Sequence, residues 1–249
     1  MYNLLISLGV GLVITLGIKL AGVGSLWAGI IPGVLVFVGT YLVLARRTGA
    51  QLQVLMTAVQ KELEGQPTSQ KDAKARVERA VKLLETGLVY DKWQFMVGSG
   101  IHSQLGMLKY MSKDMDGARS HFAKGTMNNP LAKAMEGALY YQRKEYAAMR
   151  KAFDNAVVAG KKDSLMWAAY AWCLVQIDAK PEALQVLTRG VETNPTDEKL
   201  KSSLLALQND KKLRMKPYEP AWWQLGLEGP PPQMIGGGGG RRVQFSPRR

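Results

Sequence analysis

Few residues in this chain combine the side-chain types and the spacing that catalysis or metal binding needs. His102 and His121 fall on two different predicted helices, and neither a cysteine nor an acidic cluster accompanies them at the spacing of metal ligands. Cys173 is the single cysteine, which excludes an intrachain disulfide, and its apolar surroundings favour a packing role. The glycine run at residues 236–240 lacks the Gly-Lys-Ser/Thr ending of a phosphate-binding loop. The sequence therefore predicts a chain that is not an enzyme and that holds no metal and no cofactor.

Positive charge dominates the composition. The chain has 33 Lys and Arg against 20 Asp and Glu in 249 residues, which gives a formal net charge of +13. A surplus of this size favours acidic partners: an acidic protein surface, anionic lipid headgroups or nucleic acid. The alternative, which stays open, is a solvated basic surface that faces an anionic leaflet.

Two apolar runs, residues 4–20 and 26–45, have the composition of membrane spans. The second run contains no charge in 20 residues, and a helix of about 20 residues crosses the hydrocarbon core. The first run contains only Lys19, whose long side chain can reach the headgroups. We predict two spans. A cleavable signal peptide is the alternative for the first run; it is disfavoured because no basic residue precedes the apolar stretch, but whether that run is retained stays open.

Small residues at four-residue spacing occur in both spans. Ser7 pairs with Gly11 in the first span, and Gly29 pairs with Gly33 in the second. Such pairs let membrane helices approach closely, so they predict a contact between the two spans or between copies of the chain.

The basic residues that flank the spans predict their orientation. Arg46 and Arg47 follow the second span directly and Lys61 lies further on, whereas the connecting turn offers only Lys19. Because Lys and Arg are enriched on the cytoplasmic side, we predict a multi-pass protein of the inner (cytoplasmic) membrane whose C-terminal part faces the cytoplasm.

From residue 99 onward, a pattern of small and large residues recurs about every 34 positions. Small residues fall where two helices must approach closely, large apolar residues where a helical hairpin fills its core, and proline where the second helix ends. The first copy carries Leu105, Gly106, Ala118, Phe122, Gly125 and Pro130, the second Gly137, Tyr140, Met149, Phe153 and Ala156, and the third Trp167, Ala171, Ala183, Leu187, Gly190 and Pro195.

This pattern resembles the tetratricopeptide repeat (TPR) family. The resemblance implies an α-solenoid of helix-turn-helix repeats that ends in a capping helix over residues 197–208, with Thr196 or Asp197 as its N-cap. Upstream, residues 50–64 and 70–88 have apolar side chains at helical spacing and are separated by the helix-breaking stretch 65–69. We interpret these two amphipathic helices as a degenerate leading repeat.

The resemblance also implies a binding groove, because the first helices of TPR hairpins line a concave face. The Lys, Arg and Asn side chains with which some TPR proteins hold a chaperone's terminal carboxylate are missing here, and an apolar, aromatic groove instead suits a helix or an extended peptide with hydrophobic anchors. The alternative, which stays open, is that these side chains form the core between repeats. The groove residues carried over are Ser103, Met107, Tyr110, Ala138, Tyr141, Ala168, Trp172 and Val175.

The C-terminal residues change in character from residue 211 onward. A basic run at 211–216 precedes the aromatic pair Trp222-Trp223, and prolines and the glycine run follow. The aromatic pair either lies at the membrane interface or packs back on the last helix, and we favour packing. The last nine residues are able to bind acidic protein, anionic lipid or RNA, or else form a disordered tail that its charge keeps soluble. The residues proposed for such contacts are Arg241, Arg242, Phe245, Arg248 and Arg249.

These observations predict an all-α protein. Its parts are a transmembrane helical hairpin (1–47), amphipathic helices (48–98), a TPR α-solenoid with its capping helix (99–210) and a flexible basic tail rich in Pro and Gly (211–249). The predicted function is that of a membrane-anchored adaptor or scaffold that binds a partner protein in a membrane-associated assembly. The alternative is an electrostatic tether for anionic lipid or nucleic acid, of which nucleic acid is the less favoured partner.

Overall fold

Helices make up the fold in the computed structural model of the chain, which describes residues 1–22, 26–65, 68–125 and 129–229, and no strand occurs within those ranges. The all-α prediction is therefore confirmed for these residues. The helices are α1 (Tyr2–Leu20), α2 (Leu26–Leu63), α3 (Gln70–Thr86), α4 (Val97–Met111), α5 (Met115–Phe122), α6 (Pro130–Gln142), α7 (Tyr146–Ala159), α8 (Ser164–Gln176), α9 (Lys180–Thr193), α10 (Glu198–Gln208) and α11 (Ala221–Gln224), with short 3₁₀ helices at Gly87–Lys92 and Lys216–Tyr218.

Helices α1 and α2 pack against each other through their small residues and leave large apolar side chains on the outside. Ser7 and Gly11 of α1 are buried, and a Cβ added at Gly11 would lie 2.8 Å from the carbonyl oxygen of Gly33. Only 17% of the apolar window of α1 and 11% of that of α2 is buried, whereas a helix from a soluble core would be mostly buried. Both helices are long and apolar enough to cross a membrane.

Helix α2 continues without a break far beyond its apolar part. It runs from residue 26 to residue 63, so the predicted boundary at residue 47 falls inside a helix. The only helix-weakening residue near that boundary is Gly49, and a single glycine costs a helix about 1 kcal/mol relative to alanine. One rigid element therefore joins the apolar hairpin to the rest of the chain.

The helices after α3 pack in consecutive pairs. Helix α4 pairs with α5, α6 with α7 and α8 with α9, and the first helices of successive pairs also contact one another. Glycines lie where the helices of a pair cross: a Cβ at Gly106 would lie 2.5 Å from the Phe122 ring, and one at Gly137 would lie 2.6 Å from the Phe153 ring. The small and large residues of the sequence pattern thus meet as the pattern predicts, while assignment to the TPR family stays a prediction.

Capping residues set where the repeat helices begin. The side chain of Asn129 accepts a hydrogen bond from the Ala132 amide, and that of Asp163 accepts one from the Leu165 amide. Asp197 caps α10 by accepting from the amides of Lys199 and Leu200, so of the two predicted N-caps it is the one used. The predicted breaker between α2 and α3 is also present, because α3 starts after Ser69, although Gln66 and Pro67 lie outside the described residues.

Two clusters of buried side chains hold the paired helices together. The larger one runs from α4 through α10 and includes residues beyond α10. The smaller one joins Val59 of α2 to Leu84 of α3 and to Ile101 and Leu105 of α4. The end of α2 that lies beyond its apolar part is thus built into the helical stack.

Candidate partner-binding site

The predicted groove residues lie on α4, α6 and α8, which pack side by side. Ser103, Ala138 and Ala168 are buried between these helices, where they contribute to packing. Their environment matches the alternative interpretation of these three positions as core between repeats. Met107 and Val175 are half-buried and pack against the larger cluster, and the Asn129 amide lies 3.8 Å from the Met107 sulfur.

The three aromatic groove residues have partners at one end of this face. The rings of Tyr141 and Trp172 meet edge to face, with 5.8 Å between their centroids. Tyr110 is 2% exposed, and burial raises the pKa of its hydroxyl far above the usual value, so that this group stays protonated and donates a hydrogen bond. Here, therefore, the face combines an aromatic surface with a fixed hydrogen-bond donor.

The chain's own residues 211–229, which we name the C-terminal segment, reach this aromatic surface through α11 and the residues that follow it. Trp222 of α11 is completely buried, and its ring meets Trp172 edge to face with 5.3 Å between centroids. The Trp222 indole N–H donates to the Glu228 carboxylate at 3.0 Å. Leu213, Met215, Tyr218 and Leu225 are also buried. The packed part of the chain thus extends well past residue 211, where the sequence predicts a flexible tail to begin.

Backbone hydrogen bonds hold the C-terminal segment in place. The Tyr110 hydroxyl donates to the carbonyl oxygen of Leu225 at 2.6 Å. The Gln142 side-chain amide donates to the carbonyl oxygen of Gly226 and to the Tyr110 hydroxyl, at 3.0 Å in each case. Within the segment these bonds involve only backbone carbonyl groups, so they do not depend on the identity of its side chains. A groove that anchors an aromatic side chain and hydrogen-bonds neighbouring carbonyls is a general way to hold a peptide.

The basic residues divide between the described and the undescribed parts of the chain. Lys211, Lys212, Arg214 and Lys216 are exposed, and none of them forms an ion pair with a carboxylate in residues 1–22, 26–65, 68–125 or 129–229. They border a surface cleft that Ser202 and Leu205 of α10 and the following Asn209 also line. The predicted contact residues Arg241, Arg242, Phe245, Arg248 and Arg249 lie outside the described residues.

The two histidines, which the sequence places on separate helices, meet in the structure. The Nδ1 atoms of His102 on α4 and His121 on α5 are 2.9 Å apart, so one ring donates and the other accepts. Burial is the main cause that lowers the pKa of both rings, and the charge of Lys124 lowers both further. Within the described ranges, no three His, Cys, Asp or Glu side chains group together as metal ligands. The pair joins α4 to α5, and its hydrogen bond is lost only when both rings are protonated.

Comparisons of the chain with protein-family models, with curated proteins and with solved structures found no match. The function of the groove thus rests on its own geometry.

Packing of Trp222-Trp223 against the helices agrees with the interpretation that the sequence favours, but sequence reasoning missed the surface that Trp222 covers. Gln142 lies at the end of α6, at a position that the groove pattern does not include, and Trp222 is 50 positions from Trp172. The available signal was the pair of large aromatic residues in a stretch otherwise rich in Lys and Pro. Such a pair predicts burial somewhere, but neither its spacing nor its neighbours identify the surface that covers it.

Proposed function

We propose that this protein is a membrane-anchored helical-repeat adaptor, which binds a partner protein through the face formed by α4, α6 and α8. The observation that carries the proposal is the peptide-like occupant of that face. Trp222 packs on Trp172 while Tyr110 and Gln142 bind the carbonyls of Leu225 and Gly226. The chain itself thereby supplies an example of the ligand that this face accepts.

The chemistry of the occupied face defines the partner. A competing segment needs a large aromatic side chain and, three or four residues later, carbonyl groups that are free to accept hydrogen bonds. It must also displace an occupant that is part of the same chain, whose effective concentration is of the order of millimolar. We therefore expect partner binding to expose the C-terminal segment and to be weaker in the intact chain than in a chain whose segment is detached.

The apolar hairpin supports a location in the membrane. Its outward side chains are exposed and apolar, and α2 passes without a break into the helical stack. In our proposal the stack lies on the cytoplasmic side of an inner membrane, because Arg46 and Arg47 follow the apolar part of α2. Confinement to a membrane would raise the effective concentration of a partner held in the same assembly.

Capture of partner proteins from a detergent extract tests the proposal. The bait is the full chain, and the matched variants are Trp222→Ala, which weakens the internal occupant, and a chain truncated after Gln233, which removes the terminal arginines. The adaptor hypothesis predicts that the same partner is captured by all three chains, that Trp222→Ala captures more of it, and that moderate salt removes little. Loss of every partner on truncation would contradict the hypothesis.

The electrostatic tether is the second candidate function, and the unpaired cations of residues 211–216 favour it. Four phosphate contacts would make binding fall by roughly 100-fold between 50 mM and 200 mM salt, because each contact releases counterions. The measurement is the binding of the full chain to anionic vesicles, and separately to RNA, across that range of salt. The capture of the partner protein from the extract is repeated across the same range of salt. A loss of the captured partner as steep as this would favour the tether over the adaptor.

A further inference from the structure

A second surface of the chain lies beside the apolar hairpin. We name residues 87–96, which comprise the 3₁₀ helix Gly87–Lys92 and the turn that follows it, the interfacial segment. The amide of Asn3 donates to the carbonyl oxygen of Trp93 at 3.2 Å, and the Met1 amino group donates to the carbonyl oxygen of Lys92. The rings of Tyr2 and Trp93 meet edge to face, with 5.4 Å between centroids. The interfacial segment is thus fixed to the first turn of α1.

The same contacts define the height of the segment along the hairpin. The Asn3 side-chain amide donates to the Thr48 hydroxyl at 3.0 Å, so the start of α1 is level with the place where the apolar part of α2 ends. Arg46 and Arg47 immediately precede Thr48, and both are exposed. If α1 and α2 span a bilayer, this level is the boundary between hydrocarbon and headgroups.

The segment presents an unusual amount of apolar surface at this level. Val89 is 65% exposed, Trp93 41%, Phe95 64% and Met96 43%. Single exposed apolar residues are common on soluble proteins, but a group of four large ones within eight positions indicates a surface that contacts protein or membrane. Through the contact between Trp93 and Tyr2, the segment adjoins the start of the apolar hairpin.

The polar surroundings match the boundary of a membrane. A cleft of about 290 Å³ lies between the segment and the hairpin, lined by Asn3, Leu44, Arg47, Thr48, Gln51, Tyr90 and Trp93. Tyr and Trp are enriched at this depth in membrane proteins because their rings are apolar and their polar groups reach water. Arg47 and the exposed Lys92 carry the charge that anionic phospholipid attracts.

We infer that the interfacial segment inserts Val89, Trp93 and Phe95 into the boundary layer of the same bilayer that α1 and α2 cross, with Arg46, Arg47 and Lys92 at the level of the lipid phosphates. This inference rests on the membrane anchor of the proposed function. The inserted segment gives the helical stack a second attachment beside α2. It therefore restricts how the α4–α6–α8 face can tilt relative to the membrane.

Nitroxide labels at single cysteines test the inference directly. The full chain carrying Cys173→Ala receives one new cysteine at a time: Phe95→Cys or Val89→Cys in the segment, Val13→Cys on α1, and Val158→Cys on α7 as the matched control. Val13 is 70% and Val158 55% exposed, so both positions accept a label. The labelled chains are reconstituted in phosphatidylcholine vesicles that contain phosphatidylglycerol, and electron paramagnetic resonance measures collisions with oxygen, which concentrates in lipid, and with a water-soluble nickel chelate.

The ratio of oxygen to nickel collisions separates the outcomes. We expect a ratio several-fold above that of Val158 at Phe95 and at Val89, and a still higher ratio at Val13. A ratio at both segment positions equal to that at Val158, with a high ratio at Val13, would overturn the inference and leave the anchor intact. Low collision rates with both reagents at the segment would indicate cover by protein and would also overturn it. A low ratio at Val13 would remove the anchor itself and the inference with it.

Discussion

His102 and His121 link α4 to α5 through a hydrogen bond that requires at least one neutral ring, because the accepting Nδ1 must carry no proton. Because burial lowers the pKa of each ring, the unfolded chain binds protons at a higher pH than the folded chain does. The contribution of the pair to stability is therefore complete above the ordinary histidine pKa of about 6.5 and declines as the pH falls below it toward the lowered values. Asp91 and Glu85 oppose this shift weakly, and the lysines nearby reinforce it.

The corresponding prediction concerns the pH dependence of unfolding. The melting temperature of the intact chain in detergent should fall between about pH 7.5 and about pH 5.5, which brackets the ordinary histidine pKa. In His121→Gln the fall should be smaller, since one titrating ring is gone. Circular dichroism at 222 nm follows the loss of helix on heating and so gives the melting temperature. An identical pH dependence in the two chains would show that the pair is not responsible.

Lys133 and Glu136 form an ion pair on α6 that is almost removed from water. Their charged atoms are 2.8 Å apart, and both residues are buried. Removal of one partner leaves an uncompensated buried charge, so Lys133→Met should lower the free energy of unfolding by about 3 to 5 kcal/mol. The double variant Lys133→Met/Glu136→Leu should recover most of that loss, because both charges are then gone. Denaturant titration of the unchanged chain, Lys133→Met and the double variant measures the free energy of unfolding. A double variant no more stable than Lys133→Met would contradict this account.

At the scale of elements, the C-terminal segment attaches to α8 mainly through Trp222. Truncation of a fully buried tryptophan to alanine typically costs about 3 to 5 kcal/mol. If that loss falls on the local attachment, the amides of Leu225 and Gly226 should exchange with deuterium at least about 100-fold faster in Trp222→Ala. Hydrogen-exchange mass spectrometry of residues 221–229 measures the change.

The neighbouring residue supplies the control for that experiment. Trp223 is only half-buried and packs at the border of the larger cluster. Trp223→Ala should therefore accelerate exchange of the same amides much less. Equal acceleration in the two variants would indicate that the segment is held by its general apolar content and not by the pocket at Trp172.

Local signals predicted most of the elements, and long-range contacts were the part that they could not predict. The start of α10 follows from its predicted cap, and the meeting of Gly106 with Phe122 follows from their sizes and positions. The continuity of α2 was missed because the change from apolar to polar sequence at residue 46 resembles a boundary, although it breaks no backbone hydrogen bond. Helical periodicity describes one helix at a time, so it contains no information on which distant residue covers an exposed face.

The candidate site shows the same limit. Tyr141 and Trp172 were predicted to share a face, and they do meet. The occupant of that face and the role of Gln142 could not be predicted, because residues 211–229 lack helical periodicity and their contacts span more than 80 positions. The interfacial segment was missed for a related reason. The sequence does not show that the segment with Val89, Trp93 and Phe95 packs beside Met1 and Asn3.

At the scale of the whole molecule, the apolar hairpin, the continuous helix α2 and the paired helices form one connected structure. The apolar outer surface of the hairpin and the face of α4, α6 and α8 that the C-terminal segment covers are the two features on which the proposed adaptor role depends. The proposal depends most on the binding of a partner at that face.

Photocrosslinking in the membranes of the cells that make the protein tests this claim most directly. A benzophenone amino acid is placed at Val175, a half-buried position of the groove, and in a matched chain at Val158, an exposed position on α7. We predict an adduct with one discrete protein from Val175 and not from Val158, which still forms when irradiation is done in moderate salt and increases in the Trp222→Ala background. Adducts confined to the chain itself, or equal adducts at the two positions, would contradict the claim that this face binds a partner.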